Sequence, residues 1–157
     1  MKIKQLFISD IKPNMLDDFN HYAEISHRWG DSKRKWIVNE YFPAHLNRGG
    51  VLICAFDGDR LTGFSLIDGV LRGSTNLYAN LSMIFVDFEY KRKGVGSRLF
   101  AEAYAHAKTL GADKLFISAV MAQGTMFFYR KMGCVNAREI IEDFVDTPED
   151  CMLEYSI

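Results

Sequence analysis

Apolar and polar positions along this chain follow two distinct periods. Val51 to Phe56 and Leu61 to Ile67 are short apolar runs rich in β-branched and aromatic residues, separated by Asp57-Gly58-Asp59. That pattern predicts two strands joined by a tight hairpin, because glycine and aspartate suit the backbone of short turns. Leu77 to Val86 and Leu115 to Val120 read as two more strands. The latter is apolar throughout, as a central strand with a parallel neighbour would be. Between them the period changes. Val95, Leu99, Ala103, Ala107 and Leu110 fall on one face of a helix over 94–110, and Gly111 is its stop.

The flanks fit around this centre. Ile3 to Ile8 predicts a first strand, interrupted by Ser9-Asp10 and Pro13-Asn14. Met15 to Trp29 carries a helical pattern, with Leu16, Phe19 and Ala23 on one face, and Gly30-Asp31-Ser32 breaks it. A second helix runs from about Lys33 to Leu46, where Pro43 predicts a kink or an early end. The polar stretch 68–76 is a loop. A short helix from Gln123 to Lys131 ends at Gly133. Strands at about 134–141 and 152–157 then flank Asp146-Thr147-Pro148-Glu149-Asp150. The order β, α, α, β, β, β, α, β, α, β, β predicts a single α/β domain over residues 1–157. Its sheet is mixed and mainly antiparallel, with a central βαβ unit.

Composition narrows the function classes. A net charge of −1 favours no polyanion, so nucleic acid is not an expected partner. No apolar run approaches the ~20 residues that span a bilayer, so no membrane role is expected. The N-terminal residues lack the apolar segment of a signal peptide, and three widely spaced cysteines make no framework. A cytoplasmic location with reduced thiols follows as the expectation. The four histidines show no metal-ligand spacing.

One basic cluster stands out against this neutral background: Lys91, Arg92, Lys93 and Arg98 surround Gly94-Val95-Gly96-Ser97, between a strand and a helix. The first amides of a helix have no internal partner, and glycines let an anion approach the backbone. A phosphate-bearing ligand is predicted. Dinucleotide spacing fails, since the third glycine position is Leu99; Walker spacing fails, since no lysine follows Gly96.

The turn resembles the acetyl-CoA motif Gln/Arg-x-x-Gly-x-Gly/Ala of the GCN5-related N-acetyltransferase (GNAT) family, with Lys91 at the first position. A second stretch, Phe128-Tyr129-Arg130-Lys131-Met132-Gly133-Cys134, is similar to the family's Phe-Tyr-x-Lys-x-Gly-Phe, with Cys134 in place of phenylalanine. The family's order of elements matches the one predicted here. The resemblance implies acetyl-CoA as cosubstrate. Backbone groups of Ile84, Phe85 and Val86 would pair with its pantetheine arm, and the turn from Lys91 to Arg98 would hold its phosphates. Gln123, Phe128 and Lys131 would also contact it. Ala122 and Thr125 stand where the family often has an asparagine and an alanine, so the expected hydrogen bond to CoA is either absent or supplied by Gln123. Tyr129 is implied as the acid that meets the departing thiolate. Free tyrosine and thiol pKa values of about 10 and 8.5 are close enough for that role.

The acceptor is less defined. The strand before the turn has Asn80 and Ser82 where some family members carry a carboxylate base, and Asp87 lies past its functional portion; a water relayed through Asn80 or Ser82, or Glu24 or Glu40, are the alternatives, and the sequence singles out none. Acidic and aromatic residues on the first helices and last hairpin suit a cationic amine or, equally, ordinary packing. An acetyltransferase acting on a small-molecule amine is the leading expectation. Protein or peptide acetylation and a non-catalytic CoA-binding sensor are the alternatives; a homodimer is compatible with any of them.

Overall fold

In the computed structural model, residues 1–7 and 30–157 are described, so the expected helix over 15–29 lies outside them. The apolar runs pair into one seven-stranded sheet. Its strands are β1 (Lys2–Leu6), β2 (Val51–Asp57), β3 (Arg60–Ile67), β4 (Tyr78–Val86), β5 (Lys114–Ala119), β6 (Val135–Asn136) and β7 (Cys151–Ser156), in spatial order β1-β2-β3-β4-β5-β7-β6. Only β4 and β5 are parallel; every other neighbour is antiparallel. The predicted mixed sheet with a βαβ centre is thus the observed one. The helix α3 (Val95–Thr109) makes the crossover between the parallel pair, as a parallel connection requires. The hairpin closes at Asp57↔Arg60, with Gly58 at φ 60.

Strand alternation divides the apolar side chains between two faces. Val51, Ile53, Ile67, Ala79 and Leu81 pack with Val95, Leu99, Phe100, Ala103 and Ala107 of α3. Leu52, Cys54, Phe64, Leu66 and Phe85 pack on the other face with Ile37, Val38, Phe42 and Leu46. Those four belong to a helical stretch made of α1 (Asp31–Trp36), a π-helical turn (Ile37–Tyr41) and α2 (Phe42–Asn47).

Two expectations are corrected here. Pro43 does not end its helix, which runs on to Asn47, but the turn before the proline widens to a π turn. The Phe42 N–H donates to the Ile37 carbonyl, five residues back, and this wider turn relieves the clash of a proline ring with the carbonyl four back. The strand expected over 134–141 is only Val135–Asn136. Beyond it the Arg138 N–H turns to the Glu154 carboxylate (2.7 Å), and Ile141 and Phe144 bury against Tyr78 and Phe116. A side-chain acceptor and an aromatic cluster outcompete the strand ladder.

Glu154 is 2% exposed and also accepts from the Tyr78 hydroxyl (2.9 Å) and Lys114 Nζ. Burial opposes its charge, but the Arg138 amide, Lys114 and Tyr78 outweigh burial and hold the carboxyl below its usual range. Such a group adds stability above its unfolded pKa, and that stability is lost as pH falls through its folded value. Glu154→Ala leaves Lys114 and Tyr78 without their partner. It should lower unfolding free energy by about 3 kcal/mol in urea titrations at pH 7. The gap to wild type should narrow below the ordinary glutamate pKa of about 4.3.

Candidate active site

The basic glycine turn is built on a buried carboxylate. Asp87, fully buried at the end of β4, accepts from the Glu89 N–H (3.0 Å) and from Arg60 Nη2 (2.8 Å). Arg60 also pairs with Glu89 at 3.0 Å, and its guanidinium lies 5.2 Å over the Tyr90 ring. The Tyr90 hydroxyl donates to Asp57 at 2.7 Å. This scaffold fixes a 3₁₀ turn (Phe88–Tyr90) from which the chain enters the turn itself. Asp87 is therefore part of the scaffold and not a free base.

Arg92 sits at φ 63 and Gly94 at φ 83, ψ 2. A bulky residue at positive φ marks a turn held in place by its surroundings. The first bond of α3 runs from the Arg98 N–H to the Gly94 carbonyl (3.1 Å), so the amides of Val95, Gly96 and Ser97 have no intrahelical acceptor. A Cβ on Gly96 would meet the Phe128 ring at 3.3 Å and Val86 Cγ2 at 3.6 Å. The end of β4, the start of α3 and the middle of α4 (Gln123–Lys131) meet at that point. Lys91, Arg92, Lys93, Ser97 and Arg98 are exposed, whereas Val95 is buried and offers only its amide. Lys93 Nζ lies 5.4 Å over Tyr90, and Arg98 Nη1 donates to the Met1 carbonyl at 3.0 Å. Gln123 and Lys131 are exposed at opposite ends of α4, about 12 Å apart along its axis.

The sheet opens beside this turn. The parallel ladder comprises only Tyr78↔Lys114, Ala79↔Leu115 and Asn80↔Phe116. Ser82 is then an extra residue in β4, because Leu66 pairs with Met83 while Ile67 pairs with Leu81. Such a bulge bends its strand and increases its twist. Ile84, Phe85 and Val86 keep their pairing with Ser65, Phe64 and Gly63 of β3, and β5 does not take up their other edge.

Side chains from both layers converge on this gap. Tyr129 of α4 is 8% exposed, and among the described residues its hydroxyl has no hydrogen-bond partner. Burial, with Cys134 and Asp146 nearby, raises its pKa, so the phenol stays protonated and can donate. From the opposite face, burial and then Asp146 push Tyr41 up to about 12, against a side-chain hydrogen bond from Ser82. Asn80 Nδ2 donates to Ser82 Oγ at 3.0 Å, and Asn80 Oδ1 is buried with no partner. Asp146 follows a 3₁₀ turn (Glu142–Phe144). Its N–H donates to Ser118 Oγ (3.1 Å), whose hydroxyl donates to Asp150 (2.7 Å). Asp146 is exposed at the mouth of the gap, where partial desolvation, then Asp150, pushes its carboxyl up to about 6.

The structure thus brings Val86, Gly96 and Phe128 together at the turn, and packs Tyr129 beside Phe128 and Phe100. Asn80 and Ser82 face the gap. Glu40 is exposed on the π turn, and Glu24 lies outside the described residues. Asp146 was invisible to sequence reasoning, where it formed part of a polar break; only pairing of β5 with β7 delivers it here. Cys134 is buried and its thiol pushed up to about 12, which removes it as a nucleophile. Among the described residues no acidic, histidine and cysteine cluster suits a metal, and no helix is long and apolar enough to cross a membrane.

A sequence profile described as Acetyltransferase (GNAT) family matches residues 13–134. The chain belongs to the GNAT acetyltransferase family. Solved members superpose over nearly its whole length. An acetyltransferase of the GNAT family from Staphylococcus aureus Mu50 has a TM-score of 0.73 at 14% identity, covering 99% of each chain. An aminoglycoside 6'-N-acetyltransferase complexed with coenzyme A has a TM-score of 0.71 at 15% identity, covering 99% of this chain and 97% of that one. The PaiA N-acetyltransferase of Thermoplasma acidophilum, in complex with coenzyme A, has a TM-score of 0.66 at 20% identity, covering 100% of both. No curated protein matches the sequence. Acetyl-CoA is the family's cosubstrate, and the turn fits it: open space beside Gly94, unpaired helix amides and flanking cations suit its phosphates.

Gly94→Val forces a β-branched residue to φ 83. It should cost about 1–2 kcal/mol of stability in chemical denaturation. It should also abolish most of the thermal stabilisation that saturating acetyl-CoA gives the parent protein.

Proposed function

We propose that this GNAT member transfers the acetyl group of acetyl-CoA directly to a primary amine of a small molecule, within a single domain over 1–157. The observation that carries the reading is the unpartnered, protonated Tyr129 hydroxyl in the gap beside the glycine turn. Amides at the start of α3, with Lys91, Arg92, Lys93 and Arg98, would hold the phosphates. Backbone groups of Ile84, Phe85 and Val86 would hold the pantetheine arm, with Gln123, Phe128 and Lys131 along α4. Bound there, acetyl-CoA supplies an activated thioester carbonyl. Tyr129 donates a hydrogen bond to the sulfur as it takes on charge. Its raised pKa favours donation over release of a free proton. On the acceptor side, Glu142, Asp143, Asp146 and Asp150 give the approach a negative potential that draws a cationic amine.

Acetyl-CoA at ~100 times its dissociation constant should stabilise the fold by about 2.7 kcal/mol in thermal unfolding, and ATP should do less. Tyr129→Phe should keep that stabilisation while turnover, read by thiol release, falls ~10- to 1,000-fold. Unchanged turnover removes Tyr129 from the mechanism. Stabilisation with no transfer to any amine replaces the enzyme by a CoA-binding sensor.

A further inference from the structure

Resting on the transferase reading above, we infer that Asp146 is the base that takes the proton from an ammonium acceptor, with Asn80 and Tyr41 presenting the nitrogen to it. Four other aspartates of this region are engaged elsewhere. Asp68 holds Arg48 through two bonds (3.1 and 2.7 Å), Asp143 pairs with Arg72 (3.1 Å), and Asp87 pairs with Arg60. Asp150 accepts from Ser118 (2.7 Å) and Thr147 (3.2 Å). Among the described residues the Asp146 carboxylate has neither a cation nor a hydrogen-bond donor. Its backbone is anchored, since Ser118 on β5 takes its N–H.

A second observation points to a ligand at the same place. Asn80 is 6% exposed, and its Oδ1 accepts nothing, although a buried carbonyl oxygen ordinarily finds a donor. Its Nδ2 is held by Ser82 Oγ, the hydroxyl that also reaches Tyr41. A primary ammonium carries three N–H donors. Asn80 Oδ1, the Tyr41 hydroxyl and the Asp146 carboxylate offer three acceptors of the right kind for them. Tyr41 and Tyr129 come from opposite faces of the sheet, yet both feel the charge of Asp146. Ser118, which holds the Asp146 N–H, lies on β5 two residues past Phe116, the last residue there that pairs with β4, so Asp146 stands at the opening between the two strands.

The groups facing Asp146 are Asp150 on its own loop, Tyr41 from the π turn and Tyr129 from α4; Asp68, Arg48 and His45 lie behind Tyr41. Partial desolvation and then Asp150 favour the protonated form, which makes Asp146 a stronger proton acceptor than a free aspartate. Over the reaction the nitrogen loses two protons and gains one bond to the acetyl carbon, while the carbon–sulfur bond breaks. The first proton passes to Asp146 and on to solvent. The second ends on the sulfur, where Tyr129 donates.

The test compares wild type, Asp146→Asn and Asp146→Glu with acetyl-CoA and three probe acceptors: phenethylamine, spermidine and hydroxylamine. Wild-type kcat/KM for phenethylamine or spermidine should rise with pH through about 6, where Asp146 loses its proton. Asp146→Asn should lose about 100-fold or more of kcat/KM and lose that limb, and Asp146→Glu should restore part of both. Hydroxylamine is largely neutral at pH 8, needs no deprotonation, and should lose far less. A purely structural role would lower all three acceptors alike. Acetyl-CoA stabilisation should be the same in all three proteins, which shows that the variants fold. Asp146→Asn activity within threefold of wild type, with the limb intact, overturns the inference and leaves the transferase standing. Absence of transfer by wild type to every probe, with acetyl-CoA binding intact, overturns the transferase reading and the inference with it.

Discussion

The architecture turns on where two parallel strands stop pairing. Backbone N–H and C=O groups inside a protein need partners, and a central strand ordinarily finds them on both sides. Here β4 and β5 share three residue pairs, and the extra residue at Ser82 then bends β4 away. Each arm is held by its own layer. The α3 side fixes one face of β4, and the α1–α2 side fixes the other through Phe64, Phe85 and Phe42. The gap is a property of the packed sheet and not of a mobile loop. It is also the place where opposite layers come within electrostatic reach.

Charge is distributed along this gap by function. Cations and unpaired helix amides gather where α3 begins, and carboxylates gather on the segment between β6 and β7. Between them stand two phenols that burial keeps neutral. That separation keeps the phosphate-binding cations from neutralising the acceptor side. A family fold hosts many acceptors, so specificity resides in side chains delivered by the variable segments. Here the π turn before Pro43 carries Tyr41, and Asp146 follows the short turn that ends at Phe144.

Much of this could be read along the chain. Strand and helix periods, the Asp57–Asp59 hairpin, the α3 stripe and the glycine turn are local, and local patterns specify local structure. The two motifs around Gly94 and Tyr129 also carried the family and its cosubstrate, because phosphate binding needs contiguous amides and cations. Less could be read where a distant group decides. Glu154 took the Arg138 amide and shortened a strand that apolar residues alone had extended to Ile141.

What the sequence by itself determined is the set of elements, their order and the phosphate-type turn, since each rests on neighbours within a few residues. What only the tertiary structure decided is the parting of β4 from β5, and with it the company of Asn80, Tyr41, Tyr129 and Asp146. Those four come from four different elements, and their mutual distances are set by sheet pairing and bulge register, which no single stretch of sequence encodes.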